Sequence, residues 1–205
     1  MFLDRYDIGS RSKAQFRGVV ATAQNDWEIK ELIEIYDQLQ PKHVLEIGSQ
    51  YGGTLYYWME QIGEGVKIGN IDILQNMEEV DQRRLPKLWA SWANTGTEYQ
   101  AFIGRSDDQD IYNGVHKFFD GWLDFLWIDA DHSYKGAKHD FIKYGPMVKD
   151  GGIIALHDIV TPSWAMHIQV APLWEEIQSS GYITRELKCG ADWGGIGVVY
   201  VGDRI

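Results

Sequence analysis

The 205-residue sequence predicts an α/β fold: a doubly wound, mostly parallel sheet of seven strands, with helices on both faces and an antiparallel last strand. Three observations lead there. From residue 26 onward, apolar strand-like runs alternate with segments of helical period, the pattern of a parallel sheet covered on both sides. The apolar run 44–47 passes straight into the glycine-rich turn Gly48-Ser49-Gln50-Tyr51-Gly52-Gly53, and Leu55, Trp58, Met59 and Ile62 then fall at helical spacing. The last two strand candidates, 182–188 and 196–201, are joined only by residues 189–195. That link is too short for a parallel crossover and suits an antiparallel pair.

In chain order, residues 1–25 have no clear period and mix Arg5, Arg11, Lys13 and Arg17 with Gly9 and Gly18. They read as an arm that packs over the core or on a second copy of the chain, which makes a homo-oligomer an expectation. Residues 26–205 read as one domain, since the length supports a single full core and no repeat or linker interrupts it. Asn25 followed by Glu28 has capping-box spacing, and Trp27, Leu32, Tyr36 and Leu39 form one apolar stripe. A helix over 26–40 follows, stopped by Pro41. The remaining strands are expected at 43–47, 67–72, 99–103, 123–128 and 152–156. Helices are expected near 53–62, 76–93, 108–119, 134–148 and 172–180. Pro172 suits a first helical turn and Gly181 the position just past the end of that helix.

A formal net charge of −11 opposes a polyanionic partner, because phosphate backbones are held by clustered Lys and Arg. Nucleic acid is therefore not expected as a partner. With no apolar run near the length of a membrane span and no basic-then-apolar leader, neither membrane insertion nor secretion is expected. Cys189 is the single cysteine, which fits a reducing cytoplasm. Of nine tryptophans, Trp27, Trp58, Trp122 and Trp127 lie in apolar patterns and read as packing residues. Trp89, Trp92, Trp164 and Trp193 stand in more polar or glycine-containing surroundings and could line a pocket for a ring-shaped ligand. His43, His116, His139 and His167 read as solvated.

In an open α/β sheet the ligand lies beyond the carboxyl ends of the strands, so polar residues there carry the chemistry. The first strand delivers Glu46. Gly48 and Gly52 then allow a sharp turn and close backbone approach, and the helix that follows offers unpaired N–H groups. Asp72 ends the second strand, placed to accept ribose hydroxyls, with a helix cap or turn role as the alternative. Ser106 and Asp107 follow the third strand, where Asp107 equally caps the next helix. The fourth strand ends in Asp129-Ala130-Asp131-His132, and the fifth in His157-Asp158. Ionisable groups so concentrated are costly unless a cation or a proton transfer uses them. With the fourth and fifth strands adjacent, Asp129, His157 and Asp158 would converge as a site for a divalent cation.

The Glu46-x-Gly48-x-x-x-Gly52 pattern resembles the first motif of class I S-adenosylmethionine-dependent methyltransferases, whose sheet is Rossmann-like; Gln50 stands where many members carry another glycine. The run from Asp124 to Gly136, then Gly151-Gly152, His157-Asp158, residues 170–174 and residues 195–198, resembles the macrocin O-methyltransferase and cephalosporin-hydroxylase-like branch of small-molecule O-methyltransferases. The likeness runs from about residue 24 to the last strand. It implies methyl transfer to a hydroxyl of a small molecule such as a sugar, phenol or natural product. It implies cofactor contacts at Glu46, Gly48, Ser49, Gly52, Thr54, Asp72, Ser106, Asp107 and Asp129. It also implies magnesium or another divalent cation at Asp129, His157 and Asp158, although His157 departs from the usual acid. Asp131 or His132 would be the general base, with His157 as the substitute in a metal-free reaction. Two other readings use the same fold. A nicotinamide-dependent oxidoreductase needs a Gly-x-Gly-x-x-Gly that Gly48 to Gly53 lacks in register. A catalytically silent binding protein would not need every polar position that this chain keeps.

Overall fold

The computed structural model describes residues 22–60, 64–75 and 77–204, so that most of the expected arm lies outside the described residues. The chain runs α1 (Asp26–Leu39), β1 (His43–Ile47), α2 (Gly53–Met59), β2 (Val66–Asp72), α3 (Glu79–Ala90), β3 (Thr97–Ile103) and α4 (Gln109–Phe118). It continues with β4 (Leu123–Ile128), α5 (Tyr134–Tyr144), β5 (Val148–Val160), α6 (Val170–Ser179), β6 (Tyr182–Leu187) and β7 (Gly194–Arg204). The seven strands form one sheet in the order β3-β2-β1-β4-β5-β7-β6. All pairs are parallel except the two made by β7, which lies antiparallel between β5 and β6.

Period-two alternation divides the strand side chains between two cores. Phe125, Trp127, Ile153 and Ala155 face the helices α1, α2 and α3, packing with Ile29, Leu32, Tyr36, Trp58, Leu85 and Trp89. Leu126, Ile128, Ile154 and Leu156 face α4, α5 and α6, with Phe119, Tyr144, Leu173 and Trp174. Trp89 is thus a fully buried core residue rather than a pocket wall, and Trp27, expected inside, is 45% exposed. His43, expected in solvent, is buried and stacked on Trp122, with ring centroids 3.7 Å apart.

Several boundaries move for local reasons. Asn25 caps α1 through its side chain, which accepts from the Trp27 N–H, but Glu28 does not reach back to complete a capping box. Its buried carboxylate instead accepts from the backbone N–H groups of Cys189 and Gly195, at 3.0 and 2.9 Å, and ties α1 to the β6–β7 connection. Helix α5 stops at Tyr144, where a 3₁₀ turn at Gly145–Met147 containing Pro146 takes over. Strand β5 is far longer than expected, at 13 residues: it pairs with β4 from Val148 onward, and β7 carries it on to Val160.

Three hydrogen bonds carry the parallel ladder one residue past the strands: Gly48 N–H to Ile71 O, Asp129 N–H to Ile47 O and Gly104 N–H to Asp72 O. The ends of β1, β2, β3 and β4 are thereby held level. Between β1 and β4 the winding of the sheet reverses, which opens a crevice beyond the carboxyl ends of the strands.

Candidate active site

At the end of β1 the chain must turn inside the space left by β4. A Cβ on Gly48 would lie 2.2 Å from the Asp129 carbonyl oxygen, and the residue sits at φ 91°, so only glycine fits. Gln50 adopts φ 50°, the left-handed conformation that explains why glycine is common at this position in similar motifs. Asp72 locks the loop from the neighbouring strand. Its Oδ2 accepts from the N–H groups of Ser49 and Gln50 at 2.8 and 2.7 Å, and its Oδ1 from that of Leu74 at 2.7 Å. The turn role weighed for Asp72 is therefore filled, and the carboxylate still lines the cleft.

Glu46 is fully buried and lies beneath the cleft rather than in its wall. Trp58 Nε1 donates to its Oε2 at 2.5 Å. Burial pushes the carboxyl up to about 8, against the opposing hydrogen bonds of Ser49, Thr54 and Trp58. The helix that follows the loop, α2, has only seven residues. The loop ahead of it, held by Asp72, defines this end of the cleft.

Beyond β4 and β5 an acid and imidazole cluster assembles. A register shift follows His157 in the β5–β7 ladder, and Asp158 there takes φ 61°. In regular strand geometry consecutive side chains point to opposite faces; the left-handed residue cancels that alternation. The Oδ1 of Asp158 consequently comes within 3.5 Å of His157 Nδ1. His132 stands between the two strand ends, its Nδ1 2.9 Å from Asp158 Oδ2 and its Nε2 3.6 Å from Asp129 Oδ1. The Asp158 hydrogen bond raises the His132 pKa against partial burial. Burial would raise Asp158, yet the His132 hydrogen bond holds it below the usual carboxylate range.

Asp129, His132 and Asp158 each offer a ligand atom within 4.8 Å of the others, a mixed oxygen and nitrogen donor set that fits a divalent cation. His157 was expected in that set. Its Nδ1 instead faces Asp129 Oδ1 at 3.1 Å, and its Nε2 is buried with no partner, so the imidazole buttresses Asp129 from below. Burial lowers and Asp129 raises its pKa, with a net result of about 9. Asp131 lines the cleft and makes a local backbone contact as well. Its Oδ1 accepts from the Ser133 N–H at 2.9 Å, and a Cβ on Gly136 would strike its carboxyl, so this side chain closes the turn into α5.

One cavity of 960 Å³ joins these parts. Its wall includes Gly48, Ser49, Thr54, Asp72, Ser106, Asp107, Asp129, Asp131, His132, His157 and Asp158. Gly52 stands just outside, where its missing Cβ makes room for Trp89 Nε1, which would be 2.4 Å away. Asp107 is paired with the Arg105 guanidinium at 2.8 Å. Trp164 and Trp193 line the cavity as expected, whereas Trp89 and Trp92 do not. His139, expected in solvent, also lines it. Sequence reasoning missed Gln24, whose Nε2 donates to Asp129 Oδ2 at 2.5 Å. It lies in an aperiodic stretch, and no local signal marks it.

Seven strands in this order, with a glycine turn and acids lining one crevice at the β1/β4 reversal, define a doubly wound α/β protein with a cleft of small-molecule size at the switch point. Residues 45–159 match the methyltransferase domain family, and the chain belongs to that family. Curated relatives are the rhamnosyl O-methyltransferases of Mycobacterium tuberculosis and Mycobacterium bovis, 26% identical over 129 residues, which is 61% of this chain and 49% of theirs. The chain spans about half the length of these relatives. Among solved structures, the fold is similar to that of the O-methyltransferase TomG from Streptomyces achromogenes in complex with S-adenosylmethionine. The TM-score is 0.68 at 14% identity, covering 99% of this chain and 92% of that one. It is also similar to MycE from the mycinamycin biosynthetic pathway in complex with magnesium, S-adenosylhomocysteine and mycinamycin VI. There the TM-score is 0.59 at 15% identity, covering 85% of this chain and 49% of that one. Among the described residues no helix is long and apolar enough to cross a membrane.

Proposed function

We propose that this chain transfers the methyl group of S-adenosylmethionine to a hydroxyl of a small molecule, assisted by a divalent cation at Asp129 and Asp158. The observation that carries the reading is the single cleft in which the Asp72-braced glycine loop and the Asp129, His132 and Asp158 cluster meet. The cofactor would supply an activated sulfonium methyl, and the cation a Lewis acid for the acceptor oxygen. The chain's own part is alignment and proton removal. Gly48, Ser49, Thr54 and Asp72 hold one end of the cleft in a fixed shape, and Ser106 and Asp107 border the far wall as the proposed adenine contacts. His132 takes the acceptor proton, oriented by its hydrogen bond to Asp158. Asp131 and His157 act through neighbours, the first by shaping the turn that carries His132 and the second by fixing Asp129. Sugar hydroxyls are the first acceptor class to try, because the curated relatives act on a rhamnosyl group and Trp164 and Trp193 give the cleft flat apolar walls. We place the reaction in the cytoplasm.

Titration calorimetry with S-adenosylmethionine tests the core of this reading: saturable binding is expected, and none at millimolar cofactor overturns it. Turnover should be lost on adding chelator, and Asp129→Ala should lower it by about a hundredfold or more. The spacing of the three donor atoms favours a second reading, with His132 as a metal ligand instead of a base. His132→Ala separates the two, since a base is lost with Mn²⁺ affinity intact, whereas a ligand takes the affinity with it.

A further inference from the structure

Residues 22–24, just ahead of α1, line the cleft. Gln24 is only 7% exposed, and its Nε2 donates to Asp129 Oδ2 while its Oε1 is buried with no partner. An unsatisfied buried amide oxygen is costly to leave in place, yet turning the amide end for end beside a bare carboxylate would set oxygen against oxygen and leave the nitrogen unsatisfied as well. The two orientations thus differ in what they need at Asp129. What stands at Asp129 therefore decides between them. Facing a bare carboxylate, the N–H end is favoured; facing a bound cation, the oxygen end is the one that can bind it, because an amide nitrogen has no lone pair for a metal and carbonyl oxygens suit hard divalent ions.

Resting on the cation site of the proposed function, we propose that Gln24 is a further side chain of the Asp129 and Asp158 centre, an amide that turns to present Oε1 when a divalent cation binds. The segment before α1 thus contributes directly to the centre that β4 and β5 build. The charge count supports the geometry, since Asp129 and Asp158 neutralise a divalent ion and a neutral oxygen completes the set without adding charge.

The test uses the whole chain and Mn²⁺ alone as probe, without S-adenosylmethionine, read by titration calorimetry and by the electron paramagnetic resonance of bound Mn²⁺. Gln24→Leu, similar in size but lacking the oxygen, should weaken Mn²⁺ binding about tenfold. Gln24→Glu, with an oxygen at both ends, should bind at least as tightly as the wild type, and Mn²⁺ should raise its melting temperature more than that of the wild type. Gln24→Leu within twofold of wild-type affinity overturns the assignment, as does Gln24→Glu binding more weakly than the wild type. A wild-type chain that binds S-adenosylmethionine but no Mn²⁺ also overturns it, while leaving methyl transfer itself standing.

Discussion

Gln50 shows how a single backbone angle separates the motif from its residues. Its φ of 50° is one that a side chain pays for by roughly 1 kcal/mol, and its N–H must still reach Asp72. Gln50→Gly should therefore raise stability by about 0.5 kcal/mol, part of the relief being cancelled by the freer unfolded chain, as read from the urea midpoint. Glu46 makes the complementary point about charge. Its folded-state pKa of about 8 lies above the ordinary carboxyl value of 4.5, so its contribution to stability is fully present below the lower value and is lost as pH rises through the higher one. Glu46→Gln keeps the shape and stays neutral. It should flatten the loss of stability between about pH 5 and 8 and exceed the wild type by about 2 kcal/mol at pH 8, measured by denaturant unfolding across pH. The glycine pattern that flags Glu46 is legible in the sequence. Its burial under the cleft is not, because only Trp58 and the facing helices exclude water from it.

Among the elements, the connection between β6 and β7 depends on a residue far away in the chain. Glu28, in the first turn of α1, holds the N–H groups of Cys189 and Gly195, and that connection carries Trp193 into the cleft. Glu28→Ala leaves two backbone donors unpartnered and should cost about 2–4 kcal/mol. Hydrogen exchange should rise at residues 189–195 more than in β1 or β4, and a uniform rise across the sheet would show that Glu28 is only a core residue. The sequence marks Glu28 as half of a capping box, a local pattern, and nothing local reveals that a nonlocal partner outcompetes the cap. Strand β5 carries the same lesson: residues 152–156 are legible as a strand by their apolar run, but the bulge that turns Asp158 toward His157 is set by pairing with β7.

At the scale of the whole molecule, the cleft lies between two wall groups that only the sheet brings together, and a ligand bridging them stabilises the folded state alone. S-adenosylmethionine at a hundred times its dissociation constant should add about 2.7 kcal/mol. For a domain of this size that is a rise of roughly 5–10 °C in melting temperature, measured by scanning fluorimetry, and Asp72→Ala should shrink it by freeing the loop. The order of elements, the near-parallel sheet with its antiparallel end, and the glycine and acid positions at strand ends were determined by the sequence alone, because periodicity and turn chemistry act between near neighbours in the chain. Only the tertiary structure decided that His132 stands within reach of both Asp129 and Asp158, that Asp131 accepts from the Ser133 N–H, and that Gln24 reaches Asp129. Those outcomes depend on strand order, on one left-handed residue and on which groups lose their water, quantities that arise between segments distant in sequence and have no local signature.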